Sequence, residues 1–185
     1  MLNFQRKGTY GAATTGEASP IWIWSIWRAG KLSLQTKLCL FKSNVLTSLL
    51  YGAESWKMTK TIAKKLEVFQ RRCLRRIVDV RWPNTISNED LYSMTATRPI
   101  TEEIRRRRWR WIGHVLRLPP TATARVALRW TPDGRRGRGR PKETWRRTVE
   151  AEMKQQGWTW GYLERAAQDR NKWRDLVEAL CAPEH

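Results

Sequence analysis

Apolar residues recur at three- and four-residue steps in successive segments of the chain, and this period constrains the fold more than any other feature. In the first such segment, Ser33 can cap a helix and Gly52 can end it. The apolar positions between them are Leu34, Leu38, Phe41, Val45 and Leu49. No segment alternates apolar and polar residues between hairpin turns, so strands are not expected. The pattern predicts an all-α protein with about seven helices.

The second predicted helix begins after Thr59, which can act as its cap. Its apolar stripe consists of Ile62, Leu66, Phe69, Cys73 and Ile77. Ser87, followed by Asp90 three residues later, resembles a capping box and predicts a short helix over 88–95. These two segments extend the helical period through the first half of the chain.

Proline and glycine mark the remaining helices. Pro99 precedes a predicted helix that runs to about Arg117, and a short helix follows over 123–130. Pro141 suits the first turn of a helix that runs to about Gln156.

The last predicted helices follow a glycine. Gly157 stops the preceding helix, and Thr159 can cap one or two final helices that end at Leu180. With these segments, the pattern of helices extends almost to the end of the chain.

The formal net charge of +19 favours a polyanionic partner, with nucleic acid first and an anionic membrane surface second. Disorder fits poorly, because 41% of the residues are hydrophobic and 12 are Trp. Residues 31–82 and 101–141 each carry a net charge of +9, whereas residues 142–185 are neutral. The neutral tail is typical of a solvated helical surface.

Projection at 100° per residue places a cationic face opposite the apolar stripe of the second helix. Its members are Lys64, Lys65, Arg71, Arg72, Arg75 and Arg76. A solvated helix whose long basic stems cover apolar neighbours is the alternative interpretation. Only Glu67 balances these cations within the helix, which favours nucleic-acid binding.

The helix that ends at Arg117 shows a second cationic stripe. Its predicted phosphate contacts are Arg106, Arg107, Arg110, His114 and Arg117. Arg105 and Arg108 fall on the apolar side, where they either pair with Glu102 or another acid near the helix start, or reach past the core edge. No cysteine or second histidine lies at ligand spacing from His114, so a contact or structural role is favoured over a metal site.

The segment from Asp133 to Lys142 alternates arginine with glycine, which lets a backbone approach a groove closely. Its predicted contacts are Arg135, Arg136, Arg138, Arg140 and Lys142. Part of it resembles an AT-hook, although Gly137 stands where that motif usually has proline. A general phosphate-binding loop is favoured, and an unstructured tether is the alternative.

The remaining composition indicates an intracellular, nuclear or cytoplasmic protein. Three cysteines, Cys39, Cys73 and Cys181, form neither an even disulfide set nor a zinc pattern. The longest uncharged apolar stretch, residues 18–27, is about half of the roughly 20 residues that a spanning helix needs. Residues 1–20 are expected to be a poorly ordered lead. No membrane partner, metal or cofactor is expected.

Several segments, in order, closely resemble the C-terminal part of LINE-type (non-LTR) retrotransposon reverse transcriptases. They are Leu-Gln-Thr-Lys-Leu (34–38), Leu-Tyr-Gly-Ala-Glu-Ser-Trp (50–56), Phe-Gln-Arg-Arg-Cys-Leu-Arg-Arg-Ile (69–77), Arg-Arg-Arg-Arg-Trp-Arg-Trp-Ile-Gly-His-Val-Leu-Arg (105–117) and Arg-Gly-Arg-Gly-Arg-Pro-Lys (136–142). Residues 144–148 and 167–173 are similar to the same tail.

The resemblance implies a thumb-like helical region over 21–82 that grips a template and primer. A basic helical region with the Arg/Gly loop over 83–141 and charge-balanced helices over 142–185 would form an extension that holds RNA, DNA or an RNA–DNA hybrid. The family's Tyr-x-Asp-Asp motif, its polymerase palm and its endonuclease have no counterpart in this sequence, so we expect a catalytically inert fragment.

Two other functions remain open from the sequence. A protein-interaction module would pack its Trp-rich tail on a polymerase palm or another partner; its tryptophans are Trp145, Trp158, Trp160 and Trp173. Similarly, Trp22, Trp24 and Trp27 suit packing on a palm. An enzyme that polymerises or cuts nucleic acid is least favoured, because the scattered acids form no evident magnesium site.

Overall fold

The computed structural model describes residues 26–27, 29–130, 139 and 144–182. Within these ranges the chain forms eight helices longer than a single turn and no strand. The all-α prediction is therefore confirmed, with one helix more than the sequence indicates. The predicted lead over residues 1–20 lies outside the described residues.

The first helix, α1, is continuous but changes its winding. It comprises an α-helical part Leu34–Leu40, a π-helical part Phe41–Leu46 and a last α-helical part Thr47–Leu49. The Ser33 hydroxyl accepts a hydrogen bond from the Thr36 N–H at 3.2 Å, which confirms the predicted cap. Gly52 ends the segment at φ 66°, in the left-handed region that glycine enters without steric cost.

Two capped helices follow, α2 over Lys60–Ile77 and α3 over Asn88–Thr95. The Thr59 hydroxyl accepts the N–H three residues further on at 3.2 Å. The Ser87 hydroxyl accepts the Asp90 N–H at 3.0 Å and donates to the Asp90 carboxylate at 2.8 Å. Both predicted caps are confirmed.

The long helix α4 covers Ile100–Arg117, and the short helix α5 covers Thr123–Arg129. The N-cap residue of α4 is Pro99, whose side chain makes no capping hydrogen bond. Gln70 of α2 compensates, because its Oε1 accepts the Ile100 N–H at 2.8 Å. The start of α4 is thus fixed by a buried side chain from another helix.

Three helices form the C-terminal part: α6 over Trp145–Gln155, α7 over Trp160–Gln168 and α8 over Arg170–Leu180. The predicted start of α6 at Pro141 is wrong. Thr144 has extended backbone angles, and its hydroxyl accepts the N–H three residues further on at 3.3 Å, so that α6 begins after this cap.

The ends of α6 and α7 follow the sequence prediction more closely. Gly157 ends α6 at φ 66°, and the Thr159 hydroxyl caps α7. Asp169 ends α7 and also caps α8, with its carboxylate accepting from the Asn171 and Lys172 N–H groups. One acidic residue therefore separates the two final helices.

Buried side chains form three clusters, and α4 contributes to two of them. One cluster joins α1, α2 and α3 to Trp27, which precedes α1; its other members are Leu38, Phe41, Cys73, Leu74, Ile77 and Leu91. A small middle cluster contains Leu50, Ala53, Ile100 and Ile104. The largest cluster joins the second half of α4 to α5, α6, α7 and α8. Because α4 contributes buried side chains to both the middle and the largest cluster, it links the two halves of the fold. Full burial of one such large apolar side chain stabilises the fold by about 1.5–3 kcal/mol.

In the part of the chain that the structure describes, no helix combines the length and apolar character needed to cross a membrane.

Candidate nucleic-acid interface

Helix α2 separates a core face from an open cationic face. Its second half is anchored by buried residues, namely Gln70, Cys73, Leu74 and Ile77. The opposite side of its first half carries Lys60, Thr61, Lys64, Lys65 and Val68, which we call the lysine face. Its three lysines are exposed and form no ion pair with any described acid. Arg72 is exposed and continues this face four residues after Val68.

The predicted basic residues of α2 do not all face solvent. Arg71 is half-buried and lies 3.3 Å from Glu67. Arg75 donates to the Ile86 carbonyl oxygen at 3.3 Å and to Asn88 Oδ1 at 2.9 Å, and so ties α2 to the start of α3. Lys64, Lys65, Arg72 and Arg76 keep the exposure that the projection predicts. The basic face is therefore partly structural.

Gln70 is a site residue that the sequence did not reveal. Only 1% of it is exposed. Its Nε2 donates to the Arg98 carbonyl oxygen at 2.8 Å, while its Oε1 accepts the Ile100 N–H. Removing a buried amide of this kind leaves backbone groups unpaired. Gln70 thereby positions the basic helix α4 relative to α2.

Two of the five basic residues predicted along α4 are engaged in contacts within the fold. Arg106 is 9% exposed, and its Nη2 lies 2.8 Å from Glu178 Oε2, without the alignment of a hydrogen bond. Arg107 lies 3.0 Å from Glu103 and also donates to the Leu50 carbonyl oxygen. These guanidinium groups are packed against other parts of the fold, because α8 and the turn after α1 cover the face that the projection left open.

The other three predicted residues of that stripe remain closer to solvent. Arg110 and His114 are exposed, and Arg117 is half-buried. Arg117 donates to the Ala167 carbonyl oxygen at 3.1 Å, and Arg110 lies 3.4 Å from Glu178. The contribution of all five residues to nucleic-acid binding stays a prediction.

Two arginines on the apolar side of α4 share one acid of α6. Arg108 is 2% exposed and lies 3.0 Å from Glu152, and Arg105 lies 3.6 Å from the same carboxylate. The Trp109 indole N–H donates to its other oxygen at 2.6 Å. Burial lowers the pKa of Arg108, and the charge of Glu152 opposes that shift. Of the alternatives left open by the sequence, neither Glu102 nor another acid near the start of α4 is the ion-pair partner of these arginines; both pair with Glu152 of α6.

The structure brings part of the α4 stripe beside two arginines that the sequence did not single out. An open depression between α4 and α8 is lined by Arg110, His114, Arg117, Arg170, Trp173 and Arg174. We call it the arginine depression. Arg170 and Arg174 were not predicted from the sequence, because the tail that contains them has zero net charge. A projection of α8 nevertheless places both beside its apolar stripe, where the signal could have been found.

The other predicted contacts lie outside the described residues. They are Arg135, Arg136, Arg138, Arg140 and Lys142 of the Arg/Gly loop. The same holds for Trp22 and Trp24, whereas Trp27 is buried and packs edge-on against Phe41 at 5.9 Å between ring centroids. Trp27 thus has an internal partner.

The tryptophans of the tail also pack on the chain itself. Trp158 and Trp173 contact Trp109, with ring centroids 5.5 and 6.2 Å away. Trp145 packs edge-on against Trp111 at 5.9 Å, and its indole N–H donates to a backbone carbonyl oxygen after α1 at 2.7 Å. Trp160 joins the same C-terminal cluster. Trp173 is buried, whereas Trp145, Trp158 and Trp160 remain partly exposed, and their packing on a protein partner stays a prediction.

Across the described residues, no three His, Cys, Asp or Glu side chains come together in a group that could hold a metal ion.

Comparison with known proteins links the chain to transposons. It is 26% identical over 119 residues to an uncharacterized transposon-derived protein of Caenorhabditis elegans. The match covers 62% of this chain and 43% of the relative, so the chain spans less than half of that protein's length. No protein-family model and no solved structure matches. The relationship indicates a transposon-related origin.

Proposed function

We propose that the chain is a non-catalytic part of a LINE-type retrotransposon reverse transcriptase and binds nucleic acid through the lysine face of α2. The ordered motifs in the sequence support the family, and the transposon-derived relative agrees with it at a coarser level. The partner is an RNA, DNA or RNA–DNA hybrid duplex. A polymerase palm is a further partner that the resemblance implies.

The observation that carries this proposal is the unpaired charge of the lysine face. Lys60 and Lys64 lie four residues apart, a spacing at which like charges destabilise a helix by about 0.2–0.5 kcal/mol. No described acid offsets Lys60, Lys64 or Lys65. Binding to a phosphate backbone offsets the repulsion between these lysines. It also releases the counterions that are condensed on the nucleic acid, and this release adds to the affinity.

The chemistry of the face also sets its specificity. A lysine ammonium group is a compact point charge, without the rigid fork that lets arginine read a guanine edge. Contacts from Lys64 and Lys65 would therefore go to phosphates, which position a duplex but carry no sequence information. We expect strong salt dependence and little sequence preference.

Salt titration of the full chain tests the proposal. A labelled 20-base-pair DNA duplex, its RNA counterpart and the hybrid are each titrated at several NaCl concentrations. The logarithm of the binding constant should fall linearly with the logarithm of salt. On B-DNA, replacing Lys64 and Lys65 by Ala should reduce the slope by about 0.9 for each phosphate that the protein no longer neutralises.

A matched control removes the same charge elsewhere. Lys154 and Lys172 are exposed on α6 and α8, away from the lysine face. Their replacement by Ala should leave the slope nearly unchanged. Equal slopes for the two double variants, or binding of the unaltered chain that does not respond to salt, would contradict the proposal.

A further inference from the structure

We infer that the arginine depression between α4 and α8 binds a phosphate group of the nucleic-acid backbone, at a place separate from the lysine face. The inference rests on the proposed function, since it assigns a second contact to the same polymer. It depends on three features: how the two helices meet, which charges face the gap, and what those groups can bind.

Close helix packing creates the depression. Gly113 has no Cβ, and the indole of Trp173 occupies the space that a Cβ would fill. The Trp173 N–H donates to the Trp109 carbonyl oxygen at 3.0 Å, which fixes α8 against α4. Arg110 and Arg117, two turns apart on α4, and Arg170 and Arg174, one turn apart on α8, consequently line one gap.

Like charges face each other across this gap. The positive charge of Arg170 acts on Arg117 and, after burial, is the second cause that lowers the Arg117 pKa. The described lining holds four arginines and His114 but no acid. Gathering cations in a concave site produces a positive potential that an anion relieves.

The acids near the rim leave much of this charge available. Glu178 lies 3.4 Å from Arg110, but it also serves Arg98 at 3.1 Å and Arg106 at 2.8 Å. Asp175 lies 3.7 Å from Arg174, and both side chains are more than 60% exposed, so the pair is weak. The Asp169 carboxylate caps α8.

The guanidinium groups that remain in the depression can bind a phosphate. Guanidinium groups donate two parallel hydrogen bonds to phosphate oxygens. The indole N–H of Trp173 is already used within the fold, and only 4% of this residue is exposed, so it cannot stack on a base. An open depression with cationic walls therefore suits a strand that passes across it.

Replacing Arg170 and Arg174 by Ala in the full chain tests the inference. Neither guanidinium supports a tertiary contact among the described residues, so folding should be retained, as circular dichroism can verify. The DNA salt slope should fall by about 0.9 for each phosphate that is no longer bound. The Arg170→Gln, Arg174→Gln pair keeps part of each side-chain stem and should repeat the effect if the Ala pair lowers stability.

The matched control is Arg165→Ala with Lys172→Ala. Both residues are exposed and outside the depression, and the change in net charge is the same. If the Arg170 and Arg174 variant has the slope of this control while the Lys64 and Lys65 variant has a lower one, the inference is overturned and the proposed function stands. If the unaltered chain shows no salt-dependent binding, both fail.

A second experiment distinguishes binding of a nucleic-acid phosphate from binding of a free phosphate ion. Inorganic phosphate is added at constant ionic strength, and the melting temperature is compared with that in chloride. Stabilisation of the unaltered chain that disappears in the Arg170 and Arg174 variant, together with a reduced duplex slope, supports a phosphate-binding site on the nucleic-acid path. The same stabilisation with an unchanged duplex slope would instead assign the depression to a small phosphate ion and overturn the inference.

Discussion

The indole of Trp173 lies against the backbone of Gly113, so closely that a Cβ on residue 113 would overlap the ring. Glycine inside a helix costs about 1 kcal/mol relative to alanine. Here glycine allows α8 to pack closely against α4. At this short separation the Trp173 N–H donates to the Trp109 carbonyl oxygen at 3.0 Å, which offsets part of that cost. The contact joins the C-terminal helices to α4.

Gly113→Ala should therefore destabilise the protein, although it raises helix propensity. We expect a loss of about 1–3 kcal/mol in the free energy of unfolding, from overpacking against Trp173. Urea denaturation measures it. Gly161→Ala is the control, because residue 161 has open space around its Cβ position, and this change should stabilise by up to about 1 kcal/mol. Similar gains for both variants would show that α8 does not constrain residue 113.

Glu152 is the acid on which the interior of the C-terminal cluster depends. Its carboxylate serves Arg105, Arg108 and the Trp109 indole, and Arg108 is almost fully buried. Glu152→Ala leaves a buried guanidinium without its partner and should cost about 3–5 kcal/mol. Urea denaturation again provides the value.

Glu150 supplies the comparison for that change. It lies on the same helix, α6, but is exposed. Glu150→Ala should alter stability by no more than about 0.5 kcal/mol. If both variants lost equal stability, helix α6 itself, rather than the ion pair with Arg108, would explain the effect.

The three cysteines should differ in reactivity. Burial disfavours the thiolate and raises the pKa of Cys73 to about 12 and that of Cys181 to about 11, whereas Cys39 is exposed. Alkylating reagents attack the thiolate, so at pH 8 the folded chain should be modified at Cys39 alone. Peptide mass spectrometry locates the label. In urea all three should react, and rapid labelling of Cys73 in the folded chain would contradict its burial.

Local sequence signals predicted the helices well, because caps act within a few residues. Ser33, Thr59, Ser87 and Thr159 each accept a backbone N–H at the expected helix start. The start of α6 was missed because Pro141 is compatible with a first turn, whereas the hydroxyl of Thr144 determines where the helix begins. Helix propensity alone did not distinguish the two.

The candidate site was harder to predict, because it depends on contacts between distant parts of the chain. A helical projection shows that Arg106 is polar but not that Glu178, 72 residues later in the chain, covers it. The role of Gln70 could not be predicted for the same reason, because its hydrogen-bond partners are backbone groups of another segment. By contrast, Lys64 and Lys65 were predicted correctly as exposed, since none of the helices that the structure describes covers their side of α2.

Arg106 and Arg72 should consequently have opposite phenotypes, although both were predicted phosphate contacts. Arg106→Ala removes a buried stem and one partner of Glu178, so we expect a loss of about 1–3 kcal/mol in stability and an unchanged DNA salt slope. Arg72→Ala should change stability by less than about 0.5 kcal/mol and lower the slope by about 0.9, because its exposed guanidinium extends the lysine face. Urea denaturation and duplex titration of the same two samples provide both values. A reduced slope for Arg106→Ala at full stability would mean that Arg106 leaves Glu178 to reach the nucleic acid.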